Sequence, residues 1–423
     1  MTAALFAVPG ALLVLGAPVF LVFLLGGVLA IAFVLPLPPL VVHQVVFGGL
    51  DNYALLAVPF FVFAGELMNR SGMAGRMIAW VLALTGRIPG SLGVATVGAS
   101  AAMGAVSGSS VAAVAALGKT LYPKLVEAGY GRERSAGLLA SSGSIDIIIP
   151  PSIAMILYGL VAEQSIPRLF IAGILPGLVI AAMMMAFVVV AAMRADVQRT
   201  SRFDGRETWR ATLAAAWALL MPVVVLGGIY LGWFSPTEAG GFACLYAILV
   251  ARFIHRSMTW NEIVGAAASA AVMSAKILII VAAAGLATWL MTTQGIPQAI
   301  VAWIDGVGLS PFGFLIAVNV LLLAVGCFFD PTSAILVLAP LLVPIAVTLD
   351  IDPIHFGIIM TVNLAIGMFT PPFGLNIFVA QSVTGLPAHS LYRGVLPFVA
   401  VQVVALLVIT FVPALSLTLG GAH

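Results

Sequence analysis

Two short polar strings interrupt long apolar stretches of this 423-residue sequence: Ser107-Gly108-Ser109-Ser110 and Asp330-Pro331-Thr332-Ser333. Gly or Pro breaks the helix at each, and backbone groups freed in an apolar surround must be met by a ligand, water or neighbouring protein. A monovalent cation such as Na⁺ takes several hydroxyl and carbonyl oxygens. A small anion can use the N-terminal end of a half-helix, where N–H groups are unpaired and the dipole is positive. The plainer alternative is that these hydroxyls back-bond to the preceding turn. Two double prolines form a second kind of interruption, Ile149-Pro150-Pro151-Ser152 and Thr370-Pro371-Pro372-Phe373-Gly374. Each removes two N–H donors and biases the preceding residue out of the helical region, so each should unwind its helix midway and expose carbonyls, unless it is a kink without a ligand. Asp146 and Asp330 are carboxylates in apolar sequence and therefore functional candidates. For Asp330, capping of the following half-helix competes with that role. Lys276 and Glu66 are read as able to snorkel to an interface.

The elements that position these residues are membrane helices. A composition of 62% hydrophobic and 8% charged residues, with a mean hydropathy of +1.21, is more apolar surface than a soluble core can absorb. Uncharged stretches of about 20 residues read as spans. They fall at residues 3–16, 19–36, 52–69, 135–162, 169–193, 211–231, 238–254, 270–292, 354–385 and 394–417. The stretches 88–118 and 311–349 contain the polar strings and read as re-entrant helical hairpins. The expected fold is thus an all-α polytopic membrane protein with about ten spanning helices and two re-entrant hairpins. The N-terminal stretch lacks a basic segment and a cleavage site, so it is kept as a span. Cys244 and Cys327 have no spacing that suggests a metal site or disulfide. A net charge of +2 leaves no nucleic-acid footprint.

On this reading fifteen of the seventeen Lys and Arg residues lie on one side, Arg70, Arg76, Arg87, Lys119, Arg134, Arg199, Arg202 and Arg252 among them, with Arg168 opposite and Lys276 within a span. Cytoplasmic loops carry such an excess, which places both termini outside. The chain also repeats. At an offset of 223, Gly72 matches Gly295, Trp80 matches Trp303, Gly90 matches Gly313, and Ser107 and Ser110 fall on Asp330 and Ser333. At an offset of 221, Pro150-Pro151 matches Pro371-Pro372, Gly173 matches Gly394 and Pro176 matches Pro397. The first half starts outside and the second inside, so the copies have opposite topology. Inverted repeats with interrupted helices are the architecture of secondary transporters, with the site near the midplane. The expected division is 1–210 (scaffold 1–70, arm 73–86, hairpin 88–118, unwound helix 135–162) and 211–423 (scaffold 211–292, arm 296–308, hairpin 311–349, unwound helix 354–385).

The run Leu56-Ala57-Val58-Pro59-Phe60-Phe61-Val62-Phe63-Ala64-Gly65-Glu66-Leu67-Met68 is followed by the Ser107–Ser110 string, Ile149-Pro150-Pro151-Ser152-Ile153 and Ser235-Pro236-Thr237-Glu238-Ala239. Asp330-Pro331-Thr332 and Thr370-Pro371-Pro372-Phe373-Gly374-Leu375-Asn376 complete the series. In order and spacing, essentially end to end, this resembles the large membrane (permease) subunit of tripartite ATP-independent periplasmic (TRAP) transporters, the DctM type. The resemblance implies an elevator mechanism, in which the hairpins and unwound helices slide against a scaffold. It implies a small four-helix membrane subunit and a periplasmic solute-binding protein as partners, and residence in the bacterial inner membrane, where the charge placement above makes both termini periplasmic. It implies that the solute is a small organic anion, C4-dicarboxylates included, driven by a sodium gradient with no other cofactor. No phosphate-cradling glycine loop with its lysine is present.

By the same resemblance a first sodium site would use Ser107 and Ser110 with backbone oxygens around Asp146, Ile149 and Pro151. A second would use Gly326, Gly367, Thr370 and Phe373. The family pattern usually has glycine where this chain has Asp146, so either its carboxylate joins the first site or it turns toward the solute. Solute contacts would come from Gly108, Ser109, Ser152, Asp330, Thr332, Ser333 and Asn376. No Lys or Arg lies in the tips or unwound segments, which leaves mono- and dicarboxylates both open. A stand-alone sodium–anion symporter is the alternative. An enzyme should show paired His ligands or a reactive Cys with a base, and His43, His255, His355, His389 and His423 are isolated.

Overall fold

The computed structural model describes residues 11–12, 15–33, 38–86, 88–194 and 204–419. These are helical almost throughout, with no strand among them. Arg87, Arg199, Arg202 and most of the stretch expected to span at 3–16 lie outside the described residues.

The first half runs α1 (Val19–Phe33), α2 (Leu40–Gly48), α3 (Ala57–Arg70), α4 (Met73–Thr85), α5 (Ser91–Ser107), α6 (Ser110–Glu127), α7 (Arg132–Ile148), α8 (Ile153–Val161) and α9 (Ile166–Arg194). The second runs α10 (Gly205–Tyr230), α11 (Pro236–Leu249), α12 (Trp260–Thr293), α13 (Ile296–Val307), α14 (Pro311–Gly326), α15 (Pro331–Thr348), α16 (Pro353–Gly367), α17 (Leu375–Thr384), α18 (Ala388–Phe411) and the short α19 (Ala414–Leu417). From α4 to α9 and again from α13 to α18 the same series appears. It consists of a short arm, a two-helix hairpin, a helix broken at a double proline, and a long apolar helix.

Local chemistry accounts for each break. Gly108 closes α5 in the left-handed region at φ 55°, where a side chain is strained. Ile149 ends α7 with extended backbone (φ −77°, ψ 126°), as a residue before proline must. Ser152 restarts the helix, its hydroxyl accepting from Met155 N–H at 3.4 Å. In the second half Ser310, Asp330 and Asp352 each cap a helix whose first residue is proline, the position where a missing N–H costs nothing. Capping boxes open α11 (Ser235 with Glu238) and α12 (Thr259 with Glu262). The Ser235-Pro236-Thr237-Glu238 string is therefore a helix start, and Thr237 ties it to the loop by donating to the Tyr53 carbonyl at 3.1 Å.

Six described helices are long and apolar enough to span, or eight if each of two bent pairs counts as one. The ten stretches expected from uncharged length include 3–16, most of which lies outside the described residues, and two others depart from spanning length for physical causes. The stretch expected at 19–36 is helical only to Phe33 within the described residues, and the stretch at 354–385 is split into two short helices by its double proline. One of the six spanning-length helices is α15, the second helix of the second hairpin. Helix α2 lies between the stretches expected to span at 19–36 and 52–69, and meets the following helix at a bend of 59°.

The helices sort into two groups by packing. In one, α3 packs on α11 and α12, with α10 on α11 and α1 and α2 on α12. In the other, each hairpin packs on the broken helix of its own half, and the segment beyond each break crosses to the opposite hairpin: α8 lies on α15, and α17 on α6. Polar clamps at matching depths fasten each hairpin. Ser100 Oγ donates to the Ser142 carbonyl at 2.6 Å in one half, and Asn363 Nδ2 donates to Asn319 Oδ1 at 2.6 Å in the other. Such bonds are demanding in an apolar surround, where a polar group left unmet is expensive.

Candidate functional site

A cavity of about 480 Å³ lies between the two groups, walled by both hairpin tips on one side and by α3 and α12 on the other. Gly108, Ser109 and Ser110 line it from the first tip, Asp330, Pro331 and Thr332 from the second, and Met368 and Leu375 from beside the second break. Opposite them stand Glu66 and Asn69 of α3 and Ser269, Met273 and Lys276 of α12. Volume and composition suit a small polar solute.

Behind the tips the hairpins touch the broken helices backbone to backbone. A Cβ built on Gly104 would fall 2.8 Å from Asp146 Cα and 3.1 Å from its carbonyl oxygen. One on Gly108 would fall 2.8 Å from the Pro151 carbonyl oxygen. In the second half a Cβ on Gly367 would lie 2.4 Å from Gly326 Cα and 2.7 Å from its carbonyl oxygen. The two contacts are equivalent: Asp146 stands at the repeat position of Gly367, 221 residues earlier. Asp146 is fully buried, and its neighbour Ile147 reaches the cavity wall.

The other sequence-selected residues divide by what holds them. Ser110 Oγ donates to Asn376 Oδ1 at 2.9 Å and accepts from Asn376 Nδ2 at 2.6 Å, and the same nitrogen donates to the Ala140 carbonyl at 3.0 Å. Asn376 is fully buried and fastens α17 to the first hairpin and to α7. Asp330 is the N-cap of α15. It accepts from Ser333 N–H at 3.1 Å, from Ser333 Oγ at 2.6 Å and from the Thr332 hydroxyl. Ser152 and Ser333 are buried, and neither reaches the cavity wall. Thr370 Oγ1 back-bonds to the Ile366 carbonyl at 2.8 Å. Phe373 is 53% exposed and leans on Phe328, ring centroids 5.4 Å apart. Ile149 and Pro151 sit at the first break, Ile149 N–H donating to the Ile145 carbonyl at 3.0 Å. Ser107 is the last residue of α5, and its side chain lies outside the described residues.

The wall supplied by α3 and α12 was absent from the sequence-selected set. Its signal was present in the isolated charges Glu66 and Lys276, which snorkelling had explained away. Arg70 pairs with Glu66 at 2.7 Å and donates to Ser269 Oγ at 2.8 Å, tying α3 to α12 at the cavity edge.

Over residues 6–415 the chain matches the family described as tripartite ATP-independent periplasmic transporter, DctM component. The chain belongs to that family. The C4-dicarboxylate TRAP transporter large permease DctM of Pseudomonas aeruginosa is 41% identical over 369 residues, 87% of this chain and 86% of that protein. The ectoine/5-hydroxyectoine TRAP transporter large permease UehC of Ruegeria pomeroyi is 37% identical over 423 residues, 99% of this chain and 98% of that one. Among solved structures, the MtrF efflux pump of Neisseria gonorrhoeae aligns over 93% of this chain and 94% of its own, with a TM-score of 0.67 at 16% identity, a likeness of fold alone. The chain is thus a TRAP large permease, a multi-pass transporter subunit rather than an enzyme. TRAP transporters are tripartite: a permease of this type works with a small membrane subunit and a periplasmic binding protein.

Proposed function

We propose that this permease is the translocating subunit of a sodium-coupled importer of a small organic anion in the bacterial inner membrane, with both termini periplasmic. The hairpins and broken helices move as one body past α1–α3 and α10–α12. The observation that carries this reading is the cavity itself, which lies between the interlocked hairpin group and the α3–α12 group rather than within either. A solute bound at the tips would cross with the hairpins if that boundary slides.

Two sodium sites fit behind the tips. The first would draw on Ser107, Ser110 and backbone oxygens around Asp146, Ile149 and Pro151. The close approach of the hairpin to the Asp146 and Pro151 carbonyls supports it. The burial of Asp146 away from the cavity wall favours its carboxylate serving this ion site rather than the solute. The second would draw on Gly326, Gly367, Thr370 and Phe373, supported by the Gly326–Gly367 contact. Gly108, Ser109, Asp330 and Thr332 would then meet the solute. Ser152, Ser333 and Asn376 would hold those residues in place.

The test is uptake into proteoliposomes that contain the permease with its small subunit, with the periplasmic binding protein outside. Accumulation is expected only with an inward sodium gradient and the binding protein. Ser110→Ala and Thr370→Ala should each weaken the sodium dependence, and uptake driven equally by choline would overturn the coupling. Accumulation without the binding protein would replace this reading by the stand-alone symporter.

A further inference from the structure

Lys276 occupies the worst place in a membrane helix for an unpaired cation. Sixteen residues separate it from Trp260 and seventeen from Thr293 in the 34-residue α12, about 24 Å of helix either way at 1.5 Å per residue. A four-carbon stem cannot carry the ammonium to an interface over that distance, so the snorkelling expected from sequence does not apply. Charges at such depth face a cavity or a partner. Lys276 faces the cavity, and the one ion pair among the described residues is Arg70 with Glu66.

The charges on the cavity wall are Glu66, Lys276 and Asp330. Glu66 is paired with Arg70. The Asp330 carboxylate is occupied by Ser333 N–H, Ser333 Oγ and the Thr332 hydroxyl, and it already satisfies the N-terminus of α15. That half-helix therefore offers an anion little, and its cap brings a negative charge to the wall. Among the described residues Lys276 is the wall's one uncommitted charge, and it is positive.

We infer that Lys276 is the counter-charge for a carboxylate of the transported solute, supplied by the α3–α12 side while hydroxyls of the tips hold the rest of the molecule. The inference rests on the transport reading above and names the chemistry of its solute. Because Lys276 lies across the sliding boundary from the tips, it meets the carboxylate only while the tips stand opposite α12. It therefore favours the anion in this state and releases it as the tips move away.

The permease with its small subunit, in detergent, is followed by thermal unfolding in sodium chloride and in choline chloride. The probes are succinate and ectoine, which both carry carboxylates, and glycerol, which carries none. Wild type should be stabilised by at least one carboxylate probe and not by glycerol. Lys276→Gln and Lys276→Met should raise the apparent Kd for that probe at least tenfold, about 1.4 kcal/mol, and Lys276→Arg should restore most of it. Stabilisation by sodium alone should be equal in all four proteins, which reports an intact fold. A Lys276→Gln protein that binds the carboxylate as wild type does overturns the assignment, as does a wild type that answers to neither carboxylate. If sodium has no effect while succinate still acts through Lys276, the sodium reading falls and the lysine assignment stands.

Discussion

Gly367→Ala is the sharpest probe of how the second hairpin is held. In an unhindered helix interior the change should gain about 0.5–1 kcal/mol, because Gly loses more backbone entropy than Ala. Gly285 in α12 offers that case, with nothing within 4 Å of an added Cβ. At Gly367 the new methyl would lie 2.4 Å from both Cα and C of Gly326 and 2.7 Å from its carbonyl oxygen, all backbone atoms that no rotamer change can move. Ordinary carbon contacts begin at about 3.5 Å, so the α14 and α16 backbones must part by roughly 1 Å, which forfeits a quarter to a half of the dispersion at each contact along the seam. Overpacking of this kind costs about 1–3 kcal/mol. Gly326→Ala should cost less, since its Cβ meets Gly367 Cα at 3.0 Å and Leu364 Cα at 3.3 Å. The assay is thermal unfolding of the purified complex with and without sodium. An ion at a hundred times its Kd contributes about 2.7 kcal/mol to the folded state, and Gly367→Ala should lose most of that increment as well as baseline stability. An unfolding temperature at or above wild type, with the sodium increment intact, would refute both the contact and its part in an ion site.

Three further outcomes follow from the same geometry. Asn376→Ala removes a fully buried amide that bonds Ser110 and the Ala140 carbonyl, and leaving those partners unmet should cost about 1–3 kcal/mol in thermal or denaturant unfolding. Asp330→Asn keeps an N-cap acceptor and should leave stability near wild type, whereas Asp330→Ala should lose about 1 kcal/mol; equal unfolding of the two would show that the cap matters little. Asp146→Gly gives the first half the residue that the second has at Gly367, and if the carboxylate serves the ion site the sodium concentration for half-maximal uptake should rise at least tenfold, while an unchanged value would place the carboxylate outside it.

The breaks were legible in the sequence and the cavity was not, and the reason is the range of the forces involved. Gly108, the double prolines and the capping residues act on their own backbone within a turn, so they fix where α5 and α7 end and where α14, α15 and α16 begin whatever the tertiary context. Uncharged runs likewise announce membrane helices, though not their ends: α12 begins at Trp260, ten residues before the expected 270, because its first turns are polar and its start is a capping box. Which residues share a cavity depends on which face of α12 meets α3 and the tips, and a helix hydrophobic nearly all round gives no periodicity from which to read that face. Asn376 shows the same limit from the other side. As an amide beside a double proline it has the chemistry of a solute ligand, and only the packing of α17 across the opposite hairpin shows that it bonds Ser110 and the Ala140 carbonyl.

The two halves share geometry more closely than chemistry. Each hairpin sits backbone to backbone on its broken helix, at Gly104 on Asp146 and at Gly326 on Gly367, so the repeat conserves the contact through which a tip can follow its helix. Around that contact the first half has Asp146, Ser110 and Asn376, and the second has Gly367, Thr370 and Asp330, the cap of α15. The close contact requires small residues or bare backbone at the seam, which is one reason glycines recur there. The side chains that surround it are free to differ, so two ion sites of unequal affinity can arise from one repeated scaffold. If the two proposed ion sites stand behind the tips, the first half, with a buried carboxylate beside its carbonyls, should hold its cation more tightly, and Asp146→Gly should remove that difference in measured sodium affinity.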